Sequence, residues 1–355
     1  MAKSRLADVA IWGRIPPPIG GMAVHLQRLI PHLQSAGISV HMYSVGRATP
    51  PHPEVTQVAH RRLRWLLGLL LWRSEPLHYV LSDATSARFA AACLSFFGRS
   101  KVVLRVGGAS LEQAAASRSL IERVMVRFAI RNASAVIGVS EKICGLATSL
   151  GAKRVLHVPG FIAGDFEDKP VPPEVSDFLS LGGGPVVLAS GEVQPKESDL
   201  YGAYTLLDLL EHISGLRLVF YAYRITLDAV QQELLAKEIE KRGLKTRFLL
   251  FRSATDLVPA MRCCDLMVRP TTSDGDSNAI REALHLNLPV VASDCVNRPT
   301  GVTTYPVRDR DALVAAVVKV LNDLEGERQR LRSLPKPDYA YPIIELFREL
   351  LEHQP

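Results

Sequence analysis

The chain has 355 residues, 47% of them hydrophobic and 22% charged, and carries a formal net charge of +6. That length exceeds one ordinary domain and suits two of about 150 residues, each able to bury its own core, which excludes a disordered chain. The basic excess is modest and dispersed, with no recognition module, which argues against a nucleic-acid binder and is compatible with a nucleoside diphosphate or an anionic membrane surface as partner.

Five cysteines (Cys93, Cys144, Cys263, Cys264 and Cys295) are scattered without a Cys-x-x-Cys spacing. They read as reduced thiols of a cytoplasmic protein, with no zinc or redox site. The sequence opens on Met-Ala-Lys-Ser-Arg and runs into a strand-like segment with no apolar signal core. The longest apolar run, from Leu63 to Trp72, is interrupted by Arg64 and is too short to span a bilayer. The expectation is a protein that is soluble or peripheral at the inner face of the cell membrane.

Short apolar runs alternate with amphipathic stretches along the whole chain, the pattern of parallel sheets wound with helices. In the first half, strands are expected over residues 8–12, 38–43, 77–81, 102–106 and 135–139. Helices are expected over 22–36, 86–97, 120–131 and 141–150, with Gly37 as a C-cap and Ser140 as an N-cap. The glycine pair Gly20-Gly21 follows the first strand, where residues without Cβ allow a close backbone approach or simply a turn. His25, one turn into the next helix, reads as a partly buried helix residue. Residues 60–73 combine Arg61, Arg62 and Arg64 with Trp65, Trp72 and dense leucine. Such a stretch suits a helix lying in a membrane interface or on an acceptor face, and equally an ordinary core helix.

Gly, Pro, Asp and Glu crowd together between Pro159 and Pro185, which reads as an interdomain linker. A second wound pattern follows, with strands at 186–190, 216–221, 246–251, 265–268 and 289–292 and helices at 203–213, 229–242 and 311–324. A last apolar helix at 341–351 comes after Pro335-Lys-Pro337. The expected domains are 1–160 and 161–335, with 336–355 as a tail.

The stretch Arg269-Pro-Thr-Thr-Ser-Asp274-Gly-Asp-Ser-Asn-Ala-Ile-Arg-Glu282-Ala-Leu, running on to Pro289-Val-Val-Ala-Ser-Asp294, is the most informative. A strand–loop–helix of this kind aims backbone N–H groups and the positive end of a helix dipole at whatever occupies the loop, which suits a phosphate. Asp274 on the loop and Glu282 on the helix can accept hydrogen bonds from sugar hydroxyls. The combination reads as a nucleotide-sugar site.

These residues resemble the donor signature of the retaining glycosyltransferases of family 4, the bacterial surface-polysaccharide type of the GT-B fold group. That signature is Glu-x7-Glu followed by Ala and then Gly-x-Pro-Val-hydrophobic-Ala-Ser. Asp274 stands at the first Glu, Glu282 at the second, and Asn287-Leu-Pro289-Val-Val-Ala-Ser293 keeps all but the glycine. The Gly20-Gly21 pair matches the family's N-terminal glycines.

The resemblance implies an α/β protein of two Rossmann-like domains whose parallel sheets face each other across a cleft. The first is the acceptor domain and the second the donor domain, and the tail helix crosses back to the first. It implies a metal-independent hexosyltransferase acting in polysaccharide biosynthesis. The donor is a nucleoside-diphosphate sugar, the acceptor a glycan or lipid-linked glycan, and no further cofactor is needed. Retention would proceed by front-face attack, with the leaving phosphate taking the acceptor's proton.

Glu282 would bind the ribose, and Asp274 the donor sugar, through a side chain one methylene shorter than the usual Glu. The amides of Gly275, Asp276 and Ser277 would face the diphosphate, with Ser277 or Asn278 also capping the helix. Gly20 and Gly21 would approach the donor phosphate or the acceptor. In Gly191-Glu-Val-Gln-Pro-Lys196, Lys196 fits the family's second diphosphate cation, while Glu192 stands where Arg is usual and Arg224 is a candidate substitute. Val106 fills the place of a frequent His beside the donor sugar, and Arg105 either reaches the site or lies on the strand surface. The spacing of Asp274-Gly-Asp276 mimics a metal-binding Asp-x-Asp, but the neighbouring matches explain both residues better. Two other readings stay open. A GT-B nucleotide-sugar epimerase would exchange isotope into the donor without acceptor, and a non-catalytic nucleotide-sugar or glycan binder would bind without turnover.

Overall fold

A computed structural model describes residues 7–13, 21–45, 55–58, 75–81, 101–107, 110–164, 169–222, 229–252 and 256–352. Gly20, Arg224 and the whole stretch 60–73, with Arg61, Arg62, Arg64, Trp65 and Trp72, lie outside the described residues, as does the helix expected at 86–97. The chain divides into two units: Met1–Gly164 with Asp338–Pro355, and Asp165–Pro337.

The first unit is built on seven parallel strands in the order β3-β2-β1-β4-β5-β6-β7. They span Val9–Gly13, Val40–Val45, Val55–Val58, Leu77–Leu81, Lys101–Val106, Ala135–Gly138 and Val155–His157 for β1 to β7. The central strands are buried almost end to end, which is why they read as unbroken apolar runs rather than alternating ones. The helix Gly21–Ser35 buries Leu26, Leu29 and Leu33 on one face, and these join Val9, Ile11, Leu77 and Tyr79 in one core layer.

The tail helix Tyr341–Glu352 completes that layer with Ile343, Leu346 and Phe347. The Phe347 ring meets Tyr79 edge-on at 5.2 Å, Lys101 Nζ donates to the Leu350 carbonyl at 2.7 Å, and Arg154 grips the Glu349 carboxylate with two bonds of 2.6 and 2.8 Å. The last helix therefore returns to the N-terminal unit.

Among the described residues of this unit, His25 and His78 are buried. His25 bridges the Gly160 carbonyl at 2.9 Å and the Tyr79 hydroxyl at 3.3 Å, a structural tie that leaves neither ring nitrogen for chemistry. Arg105 is fully buried and donates to the carbonyls of Val158 and Pro159 at 3.2 and 2.6 Å, so it is neither strand surface nor an open site residue. His78 accepts from Trp12 Nε1 at 3.1 Å, and burial lowers its pKa from 6.5 to about 4.

Between those values the unfolded chain binds a proton that the folded chain refuses. Stability therefore falls as pH drops from 6.5 to 4, by about 3 kcal/mol for this residue. His25, also lowered by burial and by the Arg105 charge, pulls the same way. We predict that His78→Asn flattens the acid dependence of chemical unfolding in that window. Identical slopes in the two proteins would remove His78 from the account.

The second unit holds six parallel strands in the order β10-β9-β8-β11-β12-β13. They span Val186–Gly191, Arg217–Ala222, Phe248–Arg252, Leu266–Arg269, Val290–Ser293 and Thr303–Tyr305 for β8 to β13. β9 and β10 lie on one side of β8, and β11 to β13 on the other. The carboxyl ends of β8 and β11 therefore flank a topological switch point, the place where open α/β sheets leave a crevice.

The stretch read as a linker contains a helix, Pro173–Ser180. Pro173 sits in its first turn, where a missing N–H costs nothing. Val175 and Phe178 enter the unit's core, and Arg217 of β9 ties the helix down by donating to the Phe178 carbonyl at 2.7 Å. The short strands β3, β7 and β13 and the helix Leu324–Arg332 were also not expected. That helix is mostly charged and stands on its caps, with Asp323 bonding the Gly326 amide and arginines in its last turn. Among the described residues no helix is long and apolar enough to cross a membrane.

Candidate functional site

The carboxyl ends of β8, β11 and β12 carry a polar cluster that the core around them does not require. Arg269 is the last residue of β11, Ser190 lies one residue before the end of β8, and Ser293 ends β12. Each is buried. Asp274, on the loop after β11, lies between two guanidiniums. Arg269 reaches it through Nε at 3.1 Å and Nη2 at 3.3 Å, and Arg298 through Nη1 at 2.9 Å.

Arg298 is 2% exposed at its side chain. Its Nε donates to the Ser293 carbonyl at 2.8 Å and its Nη2 to Thr271 Oγ1 at 3.1 Å, with Ser293 Oγ and Cys295 Sγ both at 3.4 Å. Arg269 also donates to the Ser190 carbonyl at 2.9 Å.

Local sequence holds the cluster in place. The Arg269 guanidinium lies 5.1 Å from the centre of the Tyr201 ring. A Cβ on Gly191 would come within 2.5 Å of that tyrosine, so the ring packs there only because position 191 has no side chain. Gly202 has φ of +72°, and a Cβ there would sit 2.3 Å from Pro270, so the β8 and β11 loops meet through a second glycine. The Thr272 amide closes the contact on the Leu200 carbonyl at 3.0 Å.

Burial pushes the Asp274 pKa up, but the two guanidiniums outweigh it, and the carboxyl is held below the usual aspartate value. Two arginines against one aspartate leave the cluster a net positive charge. The N-terminus of the helix Asn278–His285 adds its dipole.

Several residues singled out in the sequence already have partners within the protein. Asp274 already accepts five hydrogen bonds, from Arg269 twice, Arg298, Thr271 Oγ1 and the Gly275 amide, which fills the acceptor capacity of a carboxylate. In this state it is an anchor for arginines rather than an open acceptor for a sugar. The Gly275 amide, expected to face a diphosphate, bonds Asp274 Oδ1 at 3.0 Å, because a short Asp side chain folds back onto the following backbone.

Asp276 pairs with Arg281 at 2.5 Å. Ser277 is the N-cap, accepting from the Ile280 amide at 3.5 Å, and Asn278 is the first helical residue. Glu282 is buried at 7% exposed, on the helix whose Ile280 and Ala283 enter the core.

Lys196 does not join the cluster. Its side chain is 58% exposed and stands 4.0 Å from Glu238 and 6.0 Å from the Tyr204 ring centre. The loop that carries it is long and swings toward the helix Ala229–Lys241. Gly21, in the other unit, is the exposed first residue of its helix. Arg269 and Arg298 were missed. The signal for the first was a charged residue closing an apolar strand, and for the second an Arg-Pro pair in the loop after the next strand. Among the described residues no group of three or more His, Cys, Asp or Glu is placed to hold a metal ion.

The family Glycosyl transferases group 1 matches residues 184–323, which include the whole cluster. The fold aligns with sucrose-phosphate synthase from Thermosynechococcus elongatus over 97% of this chain and 99% of that one, at 16% identity and a TM-score of 0.74. It aligns with HepE of Anabaena in complex with UDP-glucose over 97% and 99%, at 19% identity and 0.71. A glycosyltransferase from Rickettsia africae aligns over 98% and 99%, at 12% identity and 0.71. No curated protein matches the chain by sequence. The fold is GT-B, and the residues that match the glycosyl transferases group 1 family lie within its second unit.

Proposed function

We propose that the protein is a retaining glycosyltransferase that moves a sugar from a nucleoside diphosphate to a hydroxyl of a glycan or lipid-linked glycan. The observation that carries this reading is the positive cluster of Arg269, Asp274 and Arg298 at the switch point of the matched domain, next to a helix N-terminus. Breaking the donor's anomeric C–O bond leaves negative charge on the departing diphosphate. A pre-arranged positive field stabilises that charge without reorganising at the moment of reaction.

In this reading the two arginines replace the cation missing at Glu192, and Lys196 is a surface residue that reaches the donor only if its loop moves. Glu282 takes the ribose hydroxyls. Asp274 holds both guanidiniums and the loop at fixed positions. The acceptor hydroxyl attacks from the face the diphosphate leaves, and a phosphate oxygen takes its proton. The reading needs no bound metal, because the arginines supply the positive charge.

The complex of HepE with UDP-glucose makes UDP and UDP-glucose the first probes. Thermal-shift measurements over a series of nucleoside diphosphates and their sugars should single out one base. A ligand at a hundredfold excess over its dissociation constant stabilises by about 2.7 kcal/mol. Product from the matching donor and a glycan acceptor should keep the anomeric configuration by NMR. Absence of a shift with every nucleotide sinks the reading. A shift without transfer to any acceptor would favour a binding protein, a reading suggested by Glu192 and Val106, which depart from the Arg and His usual in the resembled family.

A further inference from the structure

The helix Leu120–Asn132 presents an outer face that nothing in the described fold uses. Leu120, Ile121 and Val124 are 65%, 76% and 57% exposed, and nowhere else among the described residues do three large exposed apolar side chains fall within five positions. Its buried face, Val126, Ala129 and Ile130, already satisfies the core.

The outer face is ordered by the i, i+4 rule. Leu120, Val124 and the half-buried Phe128 form one ridge, with Ile121 beside it. Arg123, Arg127 and Arg131, all exposed, form the adjoining ridge, and exposed Arg118 precedes the helix. Ser119 caps the helix, and Glu122, its single acidic residue, turns back to the Ser117 hydroxyl at 2.7 Å. A row of apolar side chains beside a row of guanidiniums is the pattern of a helix lying in a lipid interface, where acyl chains take the first row and headgroup phosphates the second.

We infer that this face docks the protein on an anionic lipid bilayer. The arginine ridge supplies the charge complementarity. The apolar side chains project from the helix rather than lining a groove, which suits a deformable lipid surface better than a peptide. A second copy of this chain fits poorly, since a two-fold contact would set the arginine ridge against itself.

The full chain should co-sediment with phosphatidylcholine vesicles containing phosphatidylglycerol, remain in the supernatant with phosphatidylcholine alone, and detach as salt rises. Leu120→Ser with Ile121→Ser and Val124→Ser, and separately Arg123→Glu with Arg127→Glu, should each reduce binding about tenfold or more while keeping the parent's thermal midpoint. The inference is overturned by a wild-type chain that ignores anionic vesicles. It is equally overturned if both variants bind as well as the parent, which would assign membrane contact to another segment. A concentration-dependent dimer that both variants abolish would make a second copy the occupant. None of these outcomes depends on donor binding.

Discussion

Asp274→Asn is expected to lower the stability of the C-terminal unit by about 3–5 kcal/mol, as removing one partner from a buried charge cluster does. The carboxylate serves two guanidiniums that share almost no solvent. An amide of the same shape can accept from one arginine, but its NH2 then faces the donors of the other, and the cluster's net charge doubles. The direct measurement is chemical unfolding followed by a probe in the second unit.

A double-mutant cycle sharpens it. Arg298→Met alone strands Asp274 with Arg269, whereas Asp274→Asn with Arg298→Met relieves the repulsion the first change creates. The pair should therefore be more stable than the sum of the single losses by about 1–3 kcal/mol. Strict additivity would show that the 2.9 Å contact contributes no coupling.

The pH dependence gives a second check. A carboxyl whose folded pKa lies below its unfolded value stabilises above the unfolded value and loses that contribution as pH falls through the folded one. The gap between parent and Asn variant should close in strong acid, below about pH 4.

The contrast between this cluster and the rest of the fold shows what the sequence can and cannot disclose. Fully buried parallel strands announce themselves as apolar runs, so β1, β4, β8 and β11 are legible within a residue or two. The loop–helix unit at Ser277 is legible too, because capping and dipole depend only on neighbours. The helix Pro173–Ser180 was hidden because its core contacts, Val175 and Phe178, are sparse and set among residues typical of loops.

The arginines were hidden for a different reason. Arg298 meets Asp274 across 24 residues, and only strand order brings the ends of β11 and β12 together. An arginine in a loop reads as solvated charge until the fold shows what surrounds it. Lys196 took its expected role as a diphosphate cation from the family resemblance alone; a position in a loop fixes no direction, and in this structure the side chain stands beside Glu238.

Glu282→Ala should cut nucleotide affinity about a hundredfold and abolish the thermal shift at ligand concentrations that saturate the parent. Glu282 is buried on a helix whose first turn is capped by Ser277, so its backbone position is fixed by the cap and the core. A ribose offers two hydroxyl donors, and each bond to a charged acceptor is worth about 1.5–3 kcal/mol. Losing both accounts for the expected factor. Glu282→Gln keeps the shape and one neutral acceptor and should retain part of the affinity. Asp274→Asn, in contrast, should lower the unfolding midpoint while its folded fraction still binds the nucleotide. The two sites thus separate by readout, one in ligand affinity and the other in the stability of the unligated protein. Equal loss of nucleotide affinity in the two variants, measured at a temperature where both are folded, would merge the roles and leave Glu282 without a specific contact to the ribose.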